Sequence, residues 1–560
     1  MPLRSRLKEF YKTWLEPPGL RELRTRPPEQ GLQKFWNGED VPLPPREAAF
    51  AKSAGVEGKS ITRRDETRPC LLIKSKATLP VVDGAGARFV QVGLMADAWR
   101  QDSTVRLSAG GVEVQHTRLK PGRWLDVRLE LPVGGATELE VVSDQPLWVS
   151  VPRTVHNAAG DDPRHVLVLV LDGMARRVVE AMEASSPDGP TTPNIERFFA
   201  EGYHAPFGFS ASDWTLPTTS SFFTGQLPSQ HGMVHPRLEM HHRTDRPLLA
   251  ERFQEAGYHT LLMSCGNRLT PAFDVHRGVD RFVYHWPYEG KTTFDYRPEV
   301  WISEILGHLA THRDDRTYTY AHFPDTHPAW NLPPLTRAFN LGRSGDSSGH
   351  DLDHLEGGST SRAQGLQLLR LRLRELDRLL GGLFDWIDRE LADDTLVVLT
   401  ADHGSPWLGF PDSLTGPKIN LSEFRTGIEF RMRGAGVPQK VEERVVCPNL
   451  DLLPTLSGLM GWARSDDVDG VDLLDPSANR EHCITECLYT TEYEIAVNDG
   501  QGQWIEKYPM DEETNRVTGP ATWKGWFPLG SMSFGEPLRD HDPYREAIVQ
   551  QHLSSRGILA

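Results

Sequence analysis

Two apolar runs in this chain end in residues that bind metals. His165-Val-Leu-Val-Leu-Val-Leu stops at Asp172-Gly173, and Thr395-Leu-Val-Val-Leu-Thr-Ala stops at Asp402-His403-Gly404. A lone charge buried beside such runs is heavily penalised, so Asp172 must cap a helix or hold a cation. With a carboxylate and an imidazole at the end of a second run, one cation accounts for Asp172, Asp402 and His403 together. Oxygen mixed with imidazole nitrogen suits zinc or manganese more than calcium or magnesium. Between the runs lies Thr215-Leu-Pro-Thr-Thr-Ser-Ser-Phe-Phe-Thr-Gly225. A hydroxyl is a poor nucleophile at neutral pH, and a divalent ion beside it lowers its pKa and aligns the alkoxide. In a Ser/Thr-rich stretch standing alone, Thr215 would carry no such meaning.

The elements that must position these residues can be read around them. Continuous Val/Leu runs are strands buried on both faces, as in parallel sheets, and ligands there bind beyond the carboxyl ends of the strands. From 158 to 475 such runs alternate with helical patterns, which predicts an α/β fold built on a doubly wound, mostly parallel sheet. Helices are expected at Asn194 to Gly202, Leu248 to Gly257 and roughly Arg362 to Leu391. Leu341 to Thr360, rich in Gly, Ser, Asp and His, reads as a lid or a disordered insert. Residues 61–157 carry short alternating segments divided by turn clusters, the pattern of a β-sandwich that buttresses the enzyme or binds a glycan. Residues 1–60 form an appendage. Its segment from Arg4 to Leu15 is a short basic amphipathic helix, lying on a membrane surface or packed on the protein. Residues 476–560 make a smaller C-terminal subdomain and tail.

Composition narrows the classes. At 560 residues the chain is too long for one ordinary core. A formal net charge of −16 argues against a nucleic-acid binder. No apolar run approaches the ~20 residues of a transmembrane helix, and the first residues lack an apolar signal region. The 5 cysteines are scattered, without a disulfide framework or a paired-cysteine metal knuckle. Cys483 and Cys487 either share a helix face or are simply buried thiols. These features together lead to the expectation of a cytoplasmic protein, and they leave the oligomeric state open.

Thr192-Pro-Asn-Ile-Glu-Arg-Phe, Thr215-x-Pro217 with Thr224-Gly225, Gln230-His-Gly232 and Thr400-Ala-Asp402-His403-Gly404 occur in this order over about 300 residues. In this the chain resembles the sulfatase branch of the alkaline phosphatase superfamily. The resemblance implies an α/β core and metal-assisted attack on a phosphate or sulfate ester by a Cys-derived formylglycine, a Ser or a Thr. Counting back from Gly225, it puts Thr215 at the nucleophile position and Asp172, Thr215, Asp402 and His403 around the metal. Tyr320-Ala-His322-Phe-Pro-Asp325-Thr-His327-Pro328 resembles a sulfatase stretch that meets substrate. It implies that His327 contacts substrate or a second metal, with Asp325 as a secondary metal ligand, although the related phosphodiesterases space that Asp and His four apart rather than two. Lys418 matches a downstream sulfatase lysine that neutralises transition-state charge; otherwise it is a solvated surface group.

The departures bear on the substrate. Sulfatases read Cys-x-Pro-Ser-Arg where this chain has Thr215-Leu-Pro217-Thr218-Thr219, and Ser264-Cys-Gly-Asn267 replaces their Gly-Lys. A Thr nucleophile with an Asp-His pair is similar to the nucleotide pyrophosphatase/phosphodiesterases and the phosphoethanolamine transferases. The leading expectation is a metal-dependent hydrolase of phosphate esters, diesters above all, or of related sulfate esters, acting on a small-molecule or glycan ester. A phosphoryl transferase to a glycan or lipid hydroxyl and a catalytically silent glycan-binding protein are the alternatives.

Overall fold

A computed structural model describes residues 41–558, apart from 64–65, 82–88, 98–101, 134, 156–161, 185–188, 236–240, 265–267, 285–297, 327–360, 392–393, 406–418, 464–466, 479, 490, 512 and 531–536. The N-terminal amphipathic segment, the Leu341 to Thr360 stretch, His327 and Lys418 lie outside the described residues.

The fold is α/β around one large sheet. Its strands are β1 (His165–Leu171), β2 (Tyr203–Phe209), β3 (His259–Ser264), β4 (Arg281–Tyr284), β5 (Thr317–Phe323), β6 (Thr395–Ala401) and β7 (Gly427–Gly434). They lie in the order β4-β3-β5-β1-β6-β7-β2. The first five run parallel, β7 is antiparallel to β6 and to β2, and a two-residue strand, Lys440–Val441, pairs parallel with β2 at the far edge. Every residue of β1, β5 and β6 is buried. That is why these strands read as unbroken apolar runs rather than alternating ones. Side chains alternate between two helical layers. Leu167, Leu169 and Leu171 pack with α1 (Arg176–Ala184), α2 (Pro193–Phe199), α5 (Pro298–Thr311) and α6 (Ser361–Glu390). Val166, Val168 and Val170 pack with α3 (Thr215–Thr224), α4 (Leu249–Glu255) and α7 (Pro448–Leu459).

The strand-rich region ahead of this core forms two sheets over an apolar core of its own, with Leu71, Val90, Leu107 and Val141 among its buried residues. One sheet does not stop at the junction. Glu66 and Thr67 pair antiparallel with Val283 and Phe282 of β4, so that it continues the central sheet into a single sheet of 14 strands. The region after 476 builds an antiparallel sheet and a C-terminal helix, Pro543–Ser555, around Tyr493, Trp504, Val549 and Leu553. Cys70, Cys447, Cys483 and Cys487 are free and buried, with Cys483 and Cys487 on a strand rather than a helix. Among the described residues no helix is long and apolar enough to cross a membrane.

Candidate functional site

Strand register assembles the site. Val170 of β1 lies opposite His322 of β5 on one side and Thr400 of β6 on the other. With a side-chain period of two, Asp172, His322 and Asp402 all fall on the face that carries α3. Each offers one donor atom within 4.8 Å of the others'. His322 Nε2 is 3.5 Å from Asp172 Oδ2 and 3.5 Å from Asp402 Oδ2. His403 Nε2 is 3.3 Å from Asp402 Oδ2 and 3.7 Å from Asp172 Oδ1.

Backbone contacts lock the strand tips. The Gly173 and His403 N–H groups donate to Asp402 Oδ1 at 3.0 and 2.8 Å, and the Asp172 N–H donates to the Phe323 carbonyl at 2.9 Å. Gly173 has φ 70°, a left-handed turn that glycine adopts without a steric penalty and that lets the chain leave β1 over the site. At Gly404 a Cβ would stand 2.3 Å from the Phe424 carbonyl oxygen, so only glycine fits after His403.

Thr215 opens α3, and its Oγ1 lies 3.3 Å from His403 Nε2. His403 Nδ1–H donates to the Gly404 carbonyl at 2.6 Å, which leaves Nε2 as the lone-pair nitrogen facing the hydroxyl and both carboxylates. The helix N-terminus adds a positive dipole end where negative charge on Oγ1 would develop. Thr218 and Thr219 donate their hydroxyls to the backbone carbonyls of Trp214 and Thr215, at 2.9 and 2.7 Å, whereas the Thr215 hydroxyl meets His403.

Burial sets the electrostatics. It pushes the Asp402 carboxyl above its ordinary pKa; His403 opposes this and Asp172 adds to it. Burial would lower the His322 imidazolium, yet alignment with Asp172 and the charges of both carboxylates raise it instead. Asp402 Oδ2 is buried and accepts no hydrogen bond among the described residues. Two buried acids with an oxygen left over in this way offer a place for a cation. Two donors each about 2.1 Å from one tetrahedral ion lie roughly 3.4 Å apart, and the spacings here run from 3.3 to 3.7 Å. The residues fit a divalent metal.

Asp325 is not among the three clustered donors. It sits in a one-turn 3-10 helix after β5, where Arg372 of α6 pairs with it at 2.9 Å. Four residues with positioning contacts are given no role in the sequence reading. His322 hides inside a strand, signalled only as the one imidazole in the run Thr317–Phe323. Asn449 of α7 accepts from the Ala211 N–H at 2.7 Å and donates to the Asp402 carbonyl at 3.0 Å, tying the loop before Thr215 to the β6 tip. From the C-terminal sheet, Thr485 donates to the Ser210 carbonyl at 2.8 Å and the Glu486 N–H to that of Ala211 at 2.9 Å. The expected tail region therefore builds the floor of the nucleophile loop.

A sequence profile of the Sulfatase family matches residues 164–462, more than half of the chain. The chain belongs to the sulfatase family of ester hydrolases. It is 23% identical over 376 residues to the N-acetylgalactosamine-6-sulfatase of Canis lupus familiaris, covering 57% of this chain and 66% of that enzyme, just short of two thirds. It is 22% identical over 413 residues to the choline-sulfatase of Rhizobium meliloti, covering 61% of this chain and 78% of that one. Among solved structures, the phosphonate monoester hydrolase of Silicibacter pomeroyi shares the fold. It has a TM-score of 0.52 at 17% identity, over 70% of this chain and 95% of that one.

Proposed function

We propose that this protein is a metal-dependent ester hydrolase with Thr215 as its nucleophile, acting on phosphoryl esters, diesters above all, in preference to sulfate esters. One observation carries the reading: the Thr215 hydroxyl stands at the first turn of α3, 3.3 Å from His403 Nε2, which itself lies 3.3 Å from the buried Asp402 carboxylate. Asp172, Thr215, Asp402 and His403 would hold the ion. A zinc or manganese ion there would acidify the hydroxyl and neutralise charge on the transferring group.

The chain's own residues then do the following. The α3 dipole favours the alkoxide form of Thr215, and the Asn449 bridge holds its loop against the β6 tip. Thr215 Oγ1 bonds to phosphorus as the phosphorus–oxygen bond of the ester breaks, and the departing alkoxide takes a proton from water. A second water cleaves the phospho-threonine, releasing phosphate or its monoester and restoring the hydroxyl. His327 and Lys418 are proposed to face the non-bridging oxygens, where cationic donors stabilise the transition state.

Sulfate ester hydrolysis is the competing reading, favoured by the names of the two curated relatives. Against it stands Thr215, which lacks the hydrated aldehyde by which formylglycine expels sulfate through elimination. Competition between a matched aryl phosphate diester and aryl sulfate, with zinc or manganese supplied, separates the two. The diester is expected to turn over faster; a faster sulfate would overturn the substrate assignment.

A further inference from the structure

We propose that His322 is itself a metal ligand, giving this centre a second imidazole and a preference for zinc over calcium. The inference rests on reading the Asp172–Asp402 cluster as a metal centre. Three observations carry it. His322 Nε2 is equidistant, at 3.5 Å, from one oxygen of each carboxylate, near enough for all three donors to reach one ion. That nitrogen is buried, faces the two carboxylates at a distance beyond a good hydrogen bond, and makes no geometric hydrogen bond among the described residues, an arrangement an ion between them completes. At the far side of the ring, Nδ1 lies 3.3 Å from the buried Tyr320 hydroxyl, the outer partner that orients a ligating imidazole.

Chemistry gives the position its consequence. Calcium takes six to eight oxygen donors, whereas imidazole nitrogen suits zinc and its neighbours. Asp172, Asp402 and Thr215 supply oxygen, which either ion accepts. His403 and His322 supply nitrogen, and a pair of nitrogens in one shell turns the choice toward zinc. The alternative is that His322 is an imidazolium that only balances the two acids. Such a counter-ion would influence all divalent ions alike, because its effect is charge and not coordination.

The test is metal affinity of the full chain, measured by calorimetry with zinc and with calcium. Replacing zinc with cobalt adds a visible spectrum that reports the ligand set. The wild type is expected to prefer zinc. His322→Gln should weaken zinc about 100-fold with a far smaller change for calcium, and His322→Asp should narrow the zinc-to-calcium ratio and shift the cobalt bands. Tyr320→Phe, which keeps the ring in the core, should weaken zinc about 10-fold and leave calcium unchanged. An unchanged zinc-to-calcium ratio in variants that keep the wild-type thermal midpoint overturns the proposal. If neither His322 variant folds, an unchanged zinc affinity in Tyr320→Phe overturns it. A wild type that binds no divalent ion would instead overturn the metal reading beneath it.

Discussion

The central sheet buries titratable clusters at both ends and uses them differently. At the amino end, where the N-terminal strands meet the core, His165, His259, His308 and His312 gather beside Asp280 and Asp315. Each acid there has its guanidinium: Arg153 reaches Asp280 at 2.7 Å and Arg128 reaches Asp315 at 2.9 Å. Burial lowers three of the imidazoles, His165 to about 4, His259 to about 3 and His308 well below its ordinary value. At the carboxyl end the acids face imidazoles, burial raises Asp402, and a hydroxyl at a helix N-terminus meets one of those imidazoles. In the first cluster each acid is matched by a guanidinium; in the second the acids lie among imidazoles, beside the hydroxyl of Thr215. Perturbed buried groups do not mark an active site by themselves. Imidazoles in place of guanidinium groups around the acids, at the ligand-binding edge of the sheet, are what separate the two.

The strongest way to sharpen this contrast is at the hydroxyl. Thr215→Ala should lower kcat at least about 10³-fold while metal content is retained, and Thr215→Ser should keep activity. Wild-type turnover in the alanine variant would mean that water attacks directly.

Removing one acid from each end comes next. Asp402→Asn should cost about 100-fold or more in metal affinity. Asp280→Asn should destabilise the fold by about 3 kcal/mol, since Arg153 loses a buried partner, yet leave metal affinity within about twofold. Calorimetry and denaturant titration read both. Loss of metal by the Asp280 variant would break the comparison.

A subtler effect is expected at Asn449. Asn449→Ala strands the buried Ala211 N–H, a cost of about 1–3 kcal/mol. With the nucleophile loop loosened, kcat should fall while metal affinity holds. Equal losses in both would make Asn449 a support of the metal site rather than of Thr215 alignment.

The smallest effect is a slope. His165 and His231 are lowered from 6.5 to about 4 by burial. The unfolded chain therefore binds more protons than the folded one between those values. Their contribution to stability is complete above pH 6.5 and is lost as pH falls toward 4. Denaturant midpoints measured across that range should drop, and His165→Gln should flatten the slope. A midpoint independent of pH would contradict neutral burial.

Much of this molecule was legible in particular residues. Runs such as His165–Leu171 and Thr395–Ala401 announce doubly buried parallel strands because apolar side chains on both faces can be satisfied only between two helical layers. The acids at their ends follow, since a charge at that point must leave the sheet or be paired. The spacing from Thr215 to Gly225 is equally local, being one helix with its left-handed cap at φ 69°. His322 could not be read this way, because its membership depends on which strands neighbour β1 and in what register. Asn449 and Glu486 act from other parts of the chain through long-range hydrogen bonds that leave no periodic trace, and the junction of Glu66 and Thr67 with β4 is a pairing between distant edges. Periodicity and end-of-strand chemistry are properties of neighbouring residues, so the sequence alone determined the strands, the helix and the acids. Register, long-range hydrogen bonds and the company an imidazole keeps arise only when distant segments meet, and those the tertiary structure decided.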